Sequence, residues 1–208
     1  MRIDVWSDVV CPWCFLGKRR LDRALAALDE PVEVVFHAFQ LDPTSPTSDA
    51  PRTIDRLSER YGVDATQAQA MIDRVAEAGR PDGVTFDFAS CHAENTRTAH
   101  RMLAEAAQHG VQTALMERLF RSYFCEGGRL GDDAHLVALA AGCGVPETDA
   151  RAVVDDPSRH AAGFDQDLQM AQRLGIRGVP FFVIDQKLGV SGAQSPEVLR
   201  QAFAQARR

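Results

Sequence analysis

The chain has 208 residues, 45% hydrophobic and 25% charged, a length and composition that can bury a sizeable core. Its 23 basic residues against 29 acidic ones leave a net charge of −6, interspersed along helix faces, which offers no footprint for nucleic acid. No apolar stretch is long enough to cross a bilayer, and no low-complexity tract or repeat interrupts the chain.

Ile3-Asp4-Val5-Trp6 alternates as a strand would, and the residues after Cys14 place Leu21, Leu25 and Leu28 at helical spacing. Between them stands Cys11-Pro12-Trp13-Cys14. At 3.6 residues per turn Cys14 shares the buried stripe with the three leucines, whereas Cys11 falls almost a turn earlier, at the open helix tip. Unpartnered N–H groups and the positive end of the macrodipole favour a thiolate there, and cysteines so placed reach pKa values of roughly 3.5 to 7.5. Pro12 gives up an N–H that had no partner. The expectation is Cys11 as nucleophile and Cys14 as resolving thiol. Trp13 shapes the groove, or serves only as hydrophobic cover. Asp8 is either a proton acceptor for Cys14 or a cap on the strand-to-helix turn.

A structural zinc site needs two further ligands, commonly a second closely spaced pair, and Cys91, Cys125 and Cys143 stand alone. No metal is expected, and the three lone cysteines read as small buried apolar groups. Nothing resembling a secretory leader precedes the dithiol, so a cytoplasmic, reducing location is expected.

Val32 to Phe39 reads as a second strand, ended by the turn-rich Asp42-Pro43-Thr44-Ser45-Pro46. Helices are then predicted to begin near Pro51, Asp64, Asn95, Gln112, Asp133, Pro146 and Ser158, with Val84 to Phe88 briefly extended. Asn95 is a helix cap or a ligand contact, and His100 a satisfied structural histidine whose charge bears on its surroundings. Strand character returns at Val179 to Ile184 and at Leu188 to Ser191, with Asp185-Gln186-Lys187 as the turn, and a last helix runs from about Ser195 to Arg207. The Arg207-Arg208 end reads as a solvated helix terminus.

The order is βαβ, helical block, ββα. This is an α/β thioredoxin-like sheet with a large all-helical insertion: residues 1–45 and 159–208 form the thioredoxin-like domain and 46–158 the insertion. Pro180 opens a run that otherwise reads as a buried strand, where a proline is normally excluded. A cis peptide facing the dithiol, leaving the Val179 backbone free to pair with an extended substrate, accounts for it; a trans proline at a strand's first residue is the plainer alternative.

Asp8 to Gly17, the Asn95-Thr96 to Ala99-His100-Arg101 stretch, Gly178 to Val183, and Ser191-Gly192-Ala193-Gln194 together resemble the DsbA family, with the FrnE-like cytoplasmic branch as the nearest subgroup. The resemblance runs from Met1 to the final helix. It implies a thioredoxin fold with a helical insertion, thiol-disulfide oxidoreductase activity on protein or small-molecule thiols and disulfides, and homodimers in some relatives. The strongly oxidising members have Pro-His where this chain has Pro12-Trp13, so a less oxidising couple is expected. No cysteine follows Cys143, so the second pair of some FrnE-like proteins has no counterpart here.

No bound cofactor is expected beyond the dithiol itself. Glutathione is a candidate co-substrate, with a pocket formed by the Val179-Pro180 backbone and the Ser191 to Gln194 turn. Two rival readings stand beside this one. Glutathione-dependent 2-hydroxychromene-2-carboxylate isomerases and kappa-class glutathione transferases have serine at the Cys11 position, and activating a bound thiol needs one hydrogen-bonding group where this chain has two cysteines. A non-catalytic peptide-binding module is the third reading, for which Cys11→Ser would be silent.

Overall fold

The computed structural model describes residues 1–208. Strand β1 (Arg2–Ser7) leads into helix α1 (Pro12–Leu25), which returns to β2 (Glu33–Ala38). Six helices follow: α2 (Thr53–Tyr61), α3 (Ala65–Gly79), α4 (Arg97–Gln108), α5 (Gln112–Cys125), α6 (Asp133–Gly142) and α7 (Glu147–Asp155). Helix α8 (Ala161–Arg173), the hairpin β3 (Phe181–Ile184) and β4 (Leu188–Ser191), and α9 (Pro196–Ala206) close the chain. No helix is long and apolar enough to cross a membrane.

The sheet order is β2-β1-β3-β4, with β1 parallel to β2 and antiparallel to β3. A parallel pair needs a crossover, and α1 supplies it. Alternation along β1 sends Ile3 and Val5 to one face and Trp6 to the other. On the first face Ile3, Val5, Phe36, Phe182 and Ile184 join α1 and α9 in the main core through Phe15, Leu16, Leu199 and Phe203. On the second, Trp6 packs with Ala171 of α8 and Ile176. The result is a thioredoxin fold with a helical insertion.

Local chemistry explains the element ends. Asp64 and Gln67 form a reciprocal capping box on α3. The Ser195 side chain accepts from Val198 N at the start of α9, with Pro196 in its first turn. The β3-β4 turn places Asp185 and Gln186 at φ of 48° and 56°, the left-handed pair that a tight hairpin requires.

The insertion joins the same core. Phe120 and Phe124 of α5 stack against Phe15 of α1 at 5.2 and 6.1 Å. Val84 to Phe88 is not a strand: Phe86 and Phe88 stack on each other at 4.8 Å and meet Phe124 edge-on, while Asp87 N donates to the Phe124 carbonyl. The alternation there serves an aromatic cluster instead of a ladder. Leu28 lies past the end of α1, half-buried, and so does not continue the helical stripe.

Candidate active site

Cys11 is the N-cap of α1, with extended backbone, and its carbonyl accepts from Cys14 N at 3.0 Å and Phe15 N at 3.2 Å. Its own N–H donates to the Asp8 carbonyl at 3.0 Å, which fixes the turn out of β1. Pro12 takes the first helical position. Both thiols are buried, so Cys11 is less open than its place at the helix tip implies. It nevertheless lines a cavity of about 550 Å³, which Cys14 does not reach.

Cys14 lies behind its partner. Burial pushes its thiol well above the ordinary range, and the adjoining Cys11 sulfur adds to this; the Asp8 backbone and the Ser7 hydroxyl act against it. That hydroxyl, buried and otherwise unpartnered, faces the Cys14 sulfur.

Across from the dithiol, the Val179-Pro180 peptide is cis, as the proline's position suggested. The Cys11 Sγ–H points to the Val179 carbonyl at 3.7 Å. β3 begins only at Phe181, so Val179 stands ahead of the ladder, while the Pro180 carbonyl is taken by Gly192 N at 2.8 Å. Gly17 of α1 lies against Pro180 so closely that a Cβ there would sit 2.8 Å from the ring's Cγ. This contact was not read from the sequence, although a glycine inside a helix costs about 0.5–1 kcal/mol and so signals a packing reason.

Asp8 does not cap α1 with its side chain. Its carboxylate, fully buried, accepts from Leu41 N at 2.8 Å and pairs with His100 Nε2 of α4 at 3.2 Å. Leu41 lines the cavity, so Asp8 bonds both to a lining residue and, through its backbone carbonyl, to Cys11. Asn95 Oδ1 accepts from Arg97 N at the start of α4, and its Nδ2 donates to the Ser45 and Pro43 carbonyls, so its hydrogen bonds are spent on the fold.

The cavity lies between the dithiol and the helices α2 and α3, and fourteen of its 23 lining residues are hydrophobic. Pro12, Trp13 and Val179 line it, and Trp13 is 41% exposed. The Ser191 to Gln194 turn does not line it, contrary to expectation. Arg56, Arg60 and Arg74, which no local motif singles out, do.

The remaining cysteines are placed apart. Cys91 is buried and burial raises it to about 12; its thiol donates to the Tyr123 and Asp87 carbonyls. Cys125 and Cys143 are half-buried, not fully buried as expected. Glu105, His109 and Asp149 converge in a way that invites a cation. Glu105, however, already pairs with Arg159 at 2.7 Å and His160 at 2.7 Å, so its charge is met.

A helix-tip dithiol opposite a cis-proline, on a sheet of this order with a helical insertion, defines the insertion-bearing thioredoxin-fold class. Within that class the chain belongs to the DSBA-like thioredoxin domain family, whose model matches residues 2–204. The probable DsbA oxidoreductase of Streptomyces coelicolor is similar at 38% identity and a TM-score of 0.94, over 100% of this chain and 90% of that one. The uncharacterized protein YwbO of Bacillus subtilis is 25% identical over 98% of this chain and 96% of its own. More distant solved structures share the fold. The cytosolic disulfide reductase DsbM of Pseudomonas aeruginosa, also solved with GSH, matches at 21% identity and a TM-score of 0.64 over 100% of this chain and 95% of its own. A 2-hydroxychromene-2-carboxylate isomerase matches at 13% and 0.72, over 100% and 97%.

Proposed function

We propose that the chain is a thiol-disulfide oxidoreductase working through Cys11 and Cys14 by way of a mixed disulfide, in the FrnE-like manner and in a reducing compartment. The observation that carries this reading is the inequality of the two thiols: Cys11 lines the cavity, and Cys14 sits behind it with its ionisation opposed by burial. In the reducing direction the Cys11 thiolate attacks one sulfur of a substrate disulfide and the other leaves as a thiolate. Cys14 then loses its proton and displaces the bound half, leaving Cys11–Cys14 oxidised and two electrons on the substrate. The Val179 backbone beside Cys11 is where an extended substrate pairs, and Pro180 packs against Gly17 of α1.

Trp13 and Pro12 form the lip of the site. A low-molecular-weight thiol returns the enzyme to its dithiol form, and glutathione fits that role because a relative with this fold has been solved with GSH. About 30 mV is worth 1.4 kcal/mol in a two-electron couple, so a potential ~60 mV above the surrounding poise keeps roughly 99% of the protein reduced. Reductase or isomerase work is therefore favoured over bulk disulfide formation. Two adjoining thiols are what this exchange requires, whereas a glutathione-activating isomerase needs one hydrogen-bonding group. Titration in glutathione redox buffers, with the Cys11–Cys14 bond mapped by mass spectrometry, is the test. A reversible two-electron transition, lost in Cys11→Ser, is the expected result; absence of an intramolecular disulfide at every ratio defeats the reading.

A further inference from the structure

The cavity beside Cys11 has a charge pattern that its size and lining turn into a substrate class, an inference that rests on the exchange chemistry above. A cavity of about 550 Å³ suits a small molecule. Leu57, Met71, Val75, Phe88 and Phe124 make its walls apolar. Both carboxylates in the lining are already neutralised: Asp42 by Arg56 at 2.8 Å, and Glu94 by Arg129 at 2.6 Å and Leu130 N at 2.6 Å.

Two guanidiniums are left over. Arg60 donates to the Leu41 carbonyl at 2.9 Å and Arg74 to its own helix at the Ala70 carbonyl, 3.3 Å away; neither meets a carboxylate. In an acidic chain this contrasts with Arg19, Arg20 and Arg23 of α1, which pair with Glu117 or Asp82. Two cations from successive helices thus border an apolar chamber whose inner end is a thiol.

We propose that the substrate is a small organic disulfide with an apolar body and at least one anionic group, bound with its body against α2 and α3, its anion at Arg60 and Arg74, and its sulfur at Cys11. Glutathione disulfide is a poorer fit as the substrate, because it is polar throughout and its ammonium groups find no free carboxylate in the lining. For a substrate R–S–S–R, Cys11–S⁻ forms Cys11–S–S–R and expels R–S⁻. Cys14 gives its proton to solvent, forms the Cys11–Cys14 bond and expels the second R–S⁻. The dithiol's two electrons have then reduced one disulfide to two thiols, and a low-molecular-weight thiol in excess reduces the enzyme.

Three disulfides test this on the reduced protein: dianionic aromatic 5,5′-dithiobis(2-nitrobenzoate), uncharged aromatic 2,2′-dithiodipyridine, and oxidised glutathione. The rate taken is the phase lost in Cys11→Ser, divided by the rate of the same disulfide with a free thiol to remove intrinsic reactivity. The normalised rate for the dianion is expected to exceed that for the uncharged disulfide by about tenfold, as charge steering allows, and to fall as salt rises. Arg60→Gln with Arg74→Gln should remove most of that preference. Arg151→Gln with Arg200→Gln, the same charge change on exposed faces of α7 and α9, should keep it. Equal normalised rates in the parent protein, an equal loss in the control pair, or preference for oxidised glutathione overturns the substrate class. Where these occur alongside a mapped Cys11–Cys14 disulfide, the oxidoreductase reading stands; where no probe yields that disulfide, both fall.

Discussion

Cys14 is buried, and burial holds its thiol protonated well above the ordinary range. In the proposed exchange, resolution of the mixed disulfide waits on removal of that proton, and its rate should keep climbing with pH past the ordinary thiol range; stopped-flow release of the second thiol measures it. Replacing Cys14 by Ala should leave substrate trapped on Cys11, seen as an added mass. Asp8→Asn exchanges an oxygen facing Leu41 N or His100 for an amide, and an unsatisfied buried group costs about 1–3 kcal/mol. Thermal unfolding should register that loss, and unchanged resolution in the same variant would leave Asp8 with a positioning role alone. Glu105 is the stronger stability case: its carboxyl is driven to about 2, burial opposing and Arg159, His160 and His109 prevailing. A carboxylate depressed in the fold contributes stability fully present above its unfolded value, near 4.3, and lost as pH falls through about 2. Glu105→Gln should lower the denaturant midpoint at neutral pH, with the difference from the parent shrinking in acid; unfolding curves at the two pH values measure it. At this scale the sequence displayed the dithiol and Pro180 directly, because their spacing is local. The Asp8–His100 pair was hidden, since its members are joined across the fold and each has an ordinary local explanation.

The active helix owes its seat to one missing side chain. Gly17→Ala would bring a methyl within 2.8 Å of the Pro180 ring and 3.4 Å of Phe182, and neither backbone-bound ring nor core aromatic can swing away cheaply. Overpacking of this kind costs about 1–3 kcal/mol, and here it pushes α1 off β3 at the point where Cys11 meets Val179. Slower exchange together with a lower midpoint in denaturant is the expected outcome. Element boundaries were readable wherever punctuation is chemical: Pro12, Asp64, Pro146, and Ser195-Pro196 each stand at or beside the helix start they announced. Reading failed at Val84 to Phe88, where period-two aromatics fill a cluster with Phe15 and Phe124. A single strand's alternation says which residues are buried, and leaves open whether a neighbouring strand is there to pair.

For the whole molecule, the order βαβ, helices, ββα was enough to give the architecture, because parallel pairing and hairpin geometry leave few topologies. The cavity was not readable, for its arginines come from α2 and α3 and its thiol from α1, brought together only by packing. Electrostatics bind the layers across the sheet. His37 of β2 bridges Asp4 of β1 at 2.8 Å and Asp167 of α8 at 2.7 Å, and stacks on Trp6 at 4.5 Å. Burial disfavours its charge, yet hydrogen bonds to the two carboxylates outweigh this and raise it above its usual value. Stability from a raised histidine is complete below the unfolded value near 6.5 and lost as pH climbs through the folded one. Denaturant midpoints should accordingly decline on the alkaline side, and His37→Gln should flatten that decline.

Helix α2 forms one wall of the cavity while burying none of its own residues. Its amide protons should therefore trade with deuterated water sooner than those of α1 or α5, whose buried faces are locked into the core. Any molecule that fills the chamber would slow that trade, which makes α2 a reporter of occupancy that needs no chemical turnover. Deuterium uptake followed in Cys11→Ser could thus rank ligands by how well they fit, separately from how fast they react.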